Sequence, residues 1–198
     1  MTATPAPDPA ALDALETRLR QDFDTLCLPA KPWVPPRTEG GAEVLDCAIV
    51  GGGMAGLTLA AALTQLGVRT RIVDRSAAGF EGPWATTARM ETLRSPKELT
   101  GPALGFAALT FRAWFEAQWG SQAWRALDKI PRLQWADYLR WYRRVMAVDL
   151  RNEQALLDLQ PRADGTVALQ MSDLRAGGRA YELLARHVVL ATDRKSVV

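Results

Sequence analysis

Apolar positions along the chain change spacing several times, and each spacing predicts a different element. Over residues 9–26, Leu12, Leu15, Leu19, Phe23 and Leu26 recur every three or four positions, which draws one stripe along a helix. Asp8-Pro9 offers a start for it, a side-chain acceptor followed by a residue that needs no N–H partner. Pro29-Ala30-Lys31-Pro32-Trp33-Val34-Pro35-Pro36 is too proline-rich for a helix or a central strand and reads as an extended connector on the surface. Residues 45–50 are a short, almost continuous apolar run, a buried strand. Residues 57–66 are an alanine- and leucine-rich helix stopped by Gly67, and residues 70–74 form a second apolar strand.

Downstream the pattern loosens and then tightens. Residues 76–105, rich in glycine, proline and threonine, predict a long irregular segment, a kind of loop that is often functional. Helices are expected over Leu109–Trp119, with Phe111, Trp114, Phe115 and Trp119, and over Leu133–Val148, with Trp135, Tyr138, Leu139, Tyr142 and Val145. Their aromatic residues follow helical spacing and read as packing rather than a substrate cage. Residues 149–185 alternate between Gly-containing turns at Asp164-Gly165 and Gly177-Gly178, the pattern of a small antiparallel meander. Arg186–Thr192 is apolar enough for a buried parallel strand.

The junction between the first strand and its helix is the candidate chemistry. Val50 is followed by Gly51-Gly52-Gly53-Met54-Ala55-Gly56, a Gly-x-Gly-x-x-Gly turn. The first glycine makes the tight turn, the second lets a pyrophosphate approach the backbone, and the third lets helix and sheet pack closely. The free N–H groups at the helix start then face the phosphates. Asp74 ends the next strand, 23 residues beyond Gly51, where it can accept from ribose hydroxyls. It suits FAD or NAD better than NADP. Arg75 stays with the site because an arginine there can accommodate a 2′-phosphate, its other reading being a solvated loop charge.

Composition narrows the function classes. At 198 residues the chain is one domain, or one domain with an appendage: an arm over residues 1–40 and an α/β Rossmann-like domain over residues 41–198. The apolar share of 48% suffices for a core, and a net charge of +2 gives no strong pull toward nucleic acid or an anionic membrane. No apolar run reaches transmembrane length, and Met1–Pro9 lacks the basic and apolar regions of a secretory leader. Cys27 and Cys47 make neither a disulfide framework nor a metal spacing. Cys47 reads as a small buried apolar residue, and a cytoplasmic location is expected. The single histidine, His187, excludes multi-histidine metal sites and reads as a strand-entry residue. No residue stands out as a general acid, base or nucleophile.

Taken together, the glycine turn, the acid after the second strand, the helices, the meander and a strand ending Ala191-Thr192 resemble the FAD-binding part of two-dinucleotide flavoproteins. Glu81-Gly82-Pro83-Trp84 resembles the Gly-Gly-x-Trp element of flavin-containing monooxygenases. Residues 88–99, Ala88 to Leu99, are similar to the flavin-proximal segment of lysine and ornithine N-hydroxylase relatives. The resemblance implies that Gly51, Gly52, Gly53, Met54, Ala55 and Gly56 hold the FAD pyrophosphate and Asp74 the adenosine ribose. It implies that Trp84, Met90 and Arg94 approach the isoalloxazine and that Ala155 lies near adenine. Ala191 and Thr192 end the strand beside the turn. Read from the residues alone, Trp84 is equally a core tryptophan, Met90 a gap-filler, Arg94 a surface residue and Lys97 a solvated one. The implied activity is a monooxygenase using NAD(P)H and O₂ on a small-molecule substrate.

Two departures belong with the resemblance. Asp193 stands where the related flavoproteins have glycine, and no second glycine turn for NADPH follows. These suggest an N-terminal fragment, or a foreign junction after Thr192. The alternatives are a dehydrogenase domain with NAD at the turn, or a non-catalytic nucleotide-binding fragment.

Overall fold

The computed structural model describes residues 7–192. The expectations at Asp193 and the residues after it, and the reading of residues 1–6, lie outside the described residues. The chain opens with helix α1 (Pro9–Thr25), capped by the Asp8 carboxylate, which accepts from the N–H groups of Ala10 and Ala11. A hairpin of β1 (Arg37–Glu39) and β2 (Ala42–Val50) follows, turning at Gly40-Gly41. Helix α2 (Met54–Gln65) leads to β3 (Thr70–Val73). After the irregular segment and a short 3₁₀ turn over Ala107–Leu109 come α3 (Phe111–Ala126) and α4 (Arg132–Val145). Four strands complete the chain: β4 (Leu150–Arg151), β5 (Gln154–Pro161), β6 (Val167–Asp173) and β7 (Arg179–Leu190).

All seven strands form one sheet in the order β4-β3-β2-β7-β6-β5, with β1 paired to β2. The β4, β3, β2 and β7 neighbours run parallel, whereas β5, β6 and β7 form the antiparallel meander. This is a Rossmann-like α/β fold with an N-terminal helical arm. Residues Val44–Val50 are all buried, as a central strand covered on both faces requires. Cys47 and Ile49 face the main core with α2 and the aromatic helices. Ala48 and Val50 meet Leu169 and Met171 of the meander on the other side.

Several boundaries differ from the sequence reading. Tyr181–Leu184 and Arg186–Thr192 are expected as two strands, but the structure runs them together as β7. No turn residue separates them, so the strand that closes the meander against β6 continues directly into parallel pairing with β2. His187 therefore lies inside β7, opposite Cys47, rather than at a strand entry. Helix α3 starts at Phe111 because the Thr110 hydroxyl accepts from the Ala113 N–H, and it runs past Trp119 to Ala126 with a break at Gly120. Lys97, expected in solvent, is half-buried over the Trp124 ring and donates to the carbonyls of Trp124 and Leu127 at the end of α3.

The arm lies against the rest of the molecule. Leu19 and Glu16 of α1 are buried. Glu16 accepts from Trp141 Nε1 at 3.0 Å and from both terminal nitrogens of Arg144, at 2.9 and 2.6 Å. The connector crosses the end of α2, where the Trp33 indole donates to the Leu66 carbonyl at 2.9 Å. Within β2, burial pushes the Asp46 carboxyl up, but hydrogen bonds from Arg69 outweigh it and hold the group below the ordinary range.

Candidate functional site

The glycine turn forms where β2 runs into α2 between β3 and β7. Gly51 has φ 109°, and a Cβ there would stand 2.8 Å from the Ala191 carbonyl oxygen, so only glycine leaves the strand in this direction. At Gly56 a Cβ would come within 1.9 Å of the Gly51 carbonyl oxygen and 3.4 Å of the Ala191 Cβ. The structure thus brings Gly51, Gly56 and Ala191 into direct contact, with the Ala191 N–H donating to Val50 at 2.8 Å. Thr192 follows, exposed; β7 ends at Leu190, two residues short of the strand end expected at Thr192, because the chain turns away beside Gly51.

The start of α2 has no side-chain cap. Gly53 is its N-cap, and Met54 and Ala55 are exposed. The N–H groups of that first turn lack intrahelical acceptors, and with the positive end of the helix dipole they suit an anion. Asp74 is buried beside them. One carboxylate oxygen accepts from the Gly52 N–H at 2.6 Å, and the other from the Ser76 N–H at 2.7 Å. Each oxygen keeps a second lone pair for a ribose hydroxyl. Arg75 is exposed. Gln154 donates its N–H to the Asp74 carbonyl at 2.9 Å, which sets the next residue, Ala155, near the end of β3.

Opposite the turn lies the loop over residues 76–84. A Cβ on Gly53 would be 3.5 Å from the Gly82 Cα. A cavity of about 280 Å³ opens here, lined by Gly52, Leu57, Glu81, Trp84, Leu139 and Arg143 among others. Trp84 is half-buried and edge-on to Trp135 at 6.4 Å between ring centres. Its Nε1 is buried without a hydrogen-bond partner among the described residues. A donor left unmade in a buried site is costly; the Trp84 side chain lines the cavity next to the glycine turn, while this nitrogen itself is out of reach of solvent. The uncapped helix start, the Cβ-free turn and the two-oxygen acceptor together fit a dinucleotide.

Met90 and Arg94 sit farther along the irregular segment. Met90 is half-buried, one residue before Glu91, whose carbonyl accepts from the Arg132 N–H at 3.0 Å. Arg94 is exposed and lines a second cavity, of about 570 Å³, with Lys97, Arg125 and Lys129. The sequence reading missed the polar group under the 280 Å³ cavity. Arg143 donates to Glu81 at 2.6 Å and to the Leu150 carbonyl at 3.1 Å, and Asn152 donates to Glu81 at 2.6 Å. Its only signal was a pair of arginines, Arg140 and Arg143, one turn apart on a helix that otherwise buries aromatic residues.

Burial holds one thiol and two phenols in their neutral forms. Burial pushes the Cys47 thiol up, and the Asp46 charge adds to the effect. Burial likewise raises the Tyr138 and Tyr142 hydroxyls. Among the described residues no cluster of three or more His, Cys, Asp or Glu side chains is arranged for a metal ion, and no helix is long and apolar enough to cross a membrane.

Comparison with known proteins gives concordant results. Residues 48–194 match a protein family described as FAD-NAD(P)-binding. Over 183 residues the chain is 44% identical to an FAD-dependent urate hydroxylase of Xanthomonas campestris pv. campestris, covering 92% of this chain and 38% of that protein. Among solved structures, the cadaverine monooxygenase of Erwinia amylovora bound to FAD matches with a TM-score of 0.61 at 18% identity, over 76% of this chain and 36% of that one. The ornithine hydroxylase of Pseudomonas aeruginosa gives 0.61 at 19% identity, over 74% and 38%. These two likenesses speak to the fold.

Proposed function

The chain belongs to the FAD-NAD(P)-binding family, and from that premise we propose that it is the FAD-binding portion of a flavin-dependent monooxygenase. The observation that carries the reading is the convergence of an uncapped helix start, a Cβ-free turn and the Asp74 carboxylate at one point, bordered by a cavity that Trp84 lines. The 44% identity to a urate hydroxylase supports hydroxylation as the reaction type. When bound, FAD supplies the redox chemistry, accepting hydride from NAD(P)H and activating O₂.

The residues of this chain bind and orient. Gly53, Met54, Ala55 and Gly56, at the uncapped start of α2, offer backbone N–H groups to the pyrophosphate; Gly51 and Gly52, whose N–H groups are held by the Val73 carbonyl and Asp74, keep its approach free of side chains, and Asp74 accepts from the ribose. Ala155 lies on the adenine side, Ala191 and Thr192 back the turn, and Arg75 stays in solvent unless a 2′-phosphate is present. Trp84, with Leu57 and Leu139, gives the cavity its apolar wall on the flavin side. Met90 and Arg94 are assigned to the flavin side by the resemblance alone, since neither lines the cavity beside the turn.

The partner is a small molecule, with neither nucleic acid nor membrane involved. Because the chain spans 38% of the length of the urate hydroxylase, turnover and substrate are proposals for the longer protein, with urate the first compound to test. The two free cysteines, one of them exposed, suit a reducing cytoplasm.

The deciding experiment is to incubate the purified chain with FAD, remove the excess and record the visible spectrum. A retained flavin band and a raised melting temperature are expected. A colourless protein whose melting point FAD leaves unchanged overturns the proposal, and preferential binding of NADH in a parallel titration would make this a dehydrogenase-type site.

A further inference from the structure

Two carboxylates, not one, flank the glycine turn. A Cβ on Gly52 would stand 3.3 Å from an Asp74 carboxylate oxygen and 3.2 Å from the Glu81 Cγ. Asp74 is the acid that a dinucleotide site needs, and its charge is spread over two backbone N–H groups. Glu81 is different. It is the first residue of the segment Glu81-Gly82-Pro83-Trp84, and its carboxylate accepts from side chains, Arg143 and Asn152, rather than from backbone. Its side chain is 9% exposed, and a pyrophosphate held at the turn would itself bring negative charge. An uncompensated carboxylate there would oppose the ligand.

Arg143 answers that charge from α4. It donates to Glu81 at 2.6 Å, while Asn152 satisfies the same oxygen at 2.6 Å and also donates to the Ser76 carbonyl at 3.1 Å. The network ties three distant pieces of chain together beneath the cavity: the loop over residues 76–84, α4, and the residue that follows β4. We propose that Arg143 is a positioning residue whose role is charge compensation: by neutralising Glu81 it makes the glycine turn permissive for a dinucleotide pyrophosphate. The inference rests on the FAD reading of the same site.

The test is a double-mutant cycle read as FAD affinity, by flavin fluorescence, on the 198-residue chain. Arg143→Gln is expected to weaken FAD about tenfold or more, since it strands a buried charge beside the phosphates. Glu81→Gln stays within about threefold of wild type, and Glu81→Gln/Arg143→Gln recovers to within about threefold of Glu81→Gln. Arg143→Lys, which keeps the charge, retains most of the affinity. A residue that merely packs would give no rescue. A double variant no better than Arg143→Gln, or an Arg143→Gln that binds like wild type, overturns the inference. If Arg143→Gln does not fold, the comparison of Glu81→Gln with the double variant decides alone: equal affinities support the inference, and a tenfold loss refutes it. A wild-type chain that binds neither FAD nor ADP would overturn the proposed function, and this inference with it. A wild type that binds, with variants that break the expected pattern, would overturn the inference only.

Discussion

At Gly51 and Gly56, the two ends of the glycine turn, the close contacts are made by backbone, whereas between α3 and α4 almost every one is made by side chains. At the turn, Gly51, Gly56 and Ala191 touch through carbonyl oxygens and Cα positions. In the helical pair, Phe111 has five aromatic rings around it, those of Trp114, Phe115, Trp124, Trp135 and Tyr138, with centres 5.5 to 6.3 Å away. Gly51 and Gly56 tolerate no added atom, because backbone cannot move aside. The helical pair has more to lose by deletion than by exchange, because rings can tilt into new arrangements but cannot fill a void.

The sharpest way to test this contrast is to delete from one region and add to the other. Phe111→Ala empties the centre of the ring cluster, where the side chain is fully buried, and is expected to cost about 4 kcal/mol by denaturant titration. Phe111→Leu should cost far less. Gly56→Ala adds one methyl group where a Cβ would lie 1.9 Å from the Gly51 oxygen. The helix gains roughly 1 kcal/mol of propensity from alanine, but the clash should outweigh it, for a net loss of about 2–3 kcal/mol. FAD binding should fall with it, since α2 must withdraw from the turn. A Gly56→Ala chain of unchanged stability would break the comparison, for it would show that the backbone there can give.

Next in size is the tie between the arm and α4. Glu16→Ala leaves the buried Trp141 indole unpartnered, at a cost of about 2 kcal/mol; Arg144 is 61% exposed, so water replaces its share of the pair. The hydrogen bond from Arg144 is the largest influence holding the Glu16 carboxyl below its ordinary value, with burial opposing it. A lowered folded-state value means stability that is present above the ordinary glutamate value and lost as the pH falls from there through the lowered folded value. The melting-point gap between wild type and Glu16→Ala should therefore narrow on acidification. A gap that widens in acid would contradict the ion pair.

This contrast also explains what was legible in the sequence. The turn could be read because its chemistry is local: six consecutive residues and an acid 23 positions from Gly51 carry it, and glycine is diagnostic where backbone must touch backbone. The parallel strands, the meander turns and the helical stripes were legible for the same reason, since each period lies within a few residues. The Glu81–Arg143–Asn152 network was not legible. Its members are 62 and 71 residues apart, and a surface arginine on an amphipathic helix carries no mark of the carboxylate it will meet. The placement of Lys97 failed likewise: a lysine drawn to the carbonyls at the end of α3 looks, in sequence, like any lysine in a loop. The continuity of β7 was missed because two functions, closing the meander and joining the parallel sheet, suggest two strands when nothing but the absence of a turn residue says otherwise.

The smallest expected effects separate two tyrosines that the sequence could not tell apart. Tyr138 and Tyr142 lie one turn apart on α4, both fully buried, with rings 6.2 Å between centres. Tyr138 donates its hydroxyl to the Leu109 carbonyl at 2.7 Å and so fastens α4 to the turn before α3. The Tyr142 hydroxyl has no partner among the described residues. Phenylalanine at position 138 removes one partner of a buried pair and should cost about 1 kcal/mol, roughly 2–4 °C of melting temperature for a domain of this size. Phenylalanine at position 142 removes an unsatisfied polar group from the same apolar surroundings, so it should leave stability unchanged or raise it by up to about 1 kcal/mol. Opposite signs from the same substitution would show that in this region the side-chain partner, not the burial of the ring, sets the energy of each tyrosine. Equal losses would show that the Tyr142 hydroxyl is satisfied by water, and would move that position from a liability to a fastening.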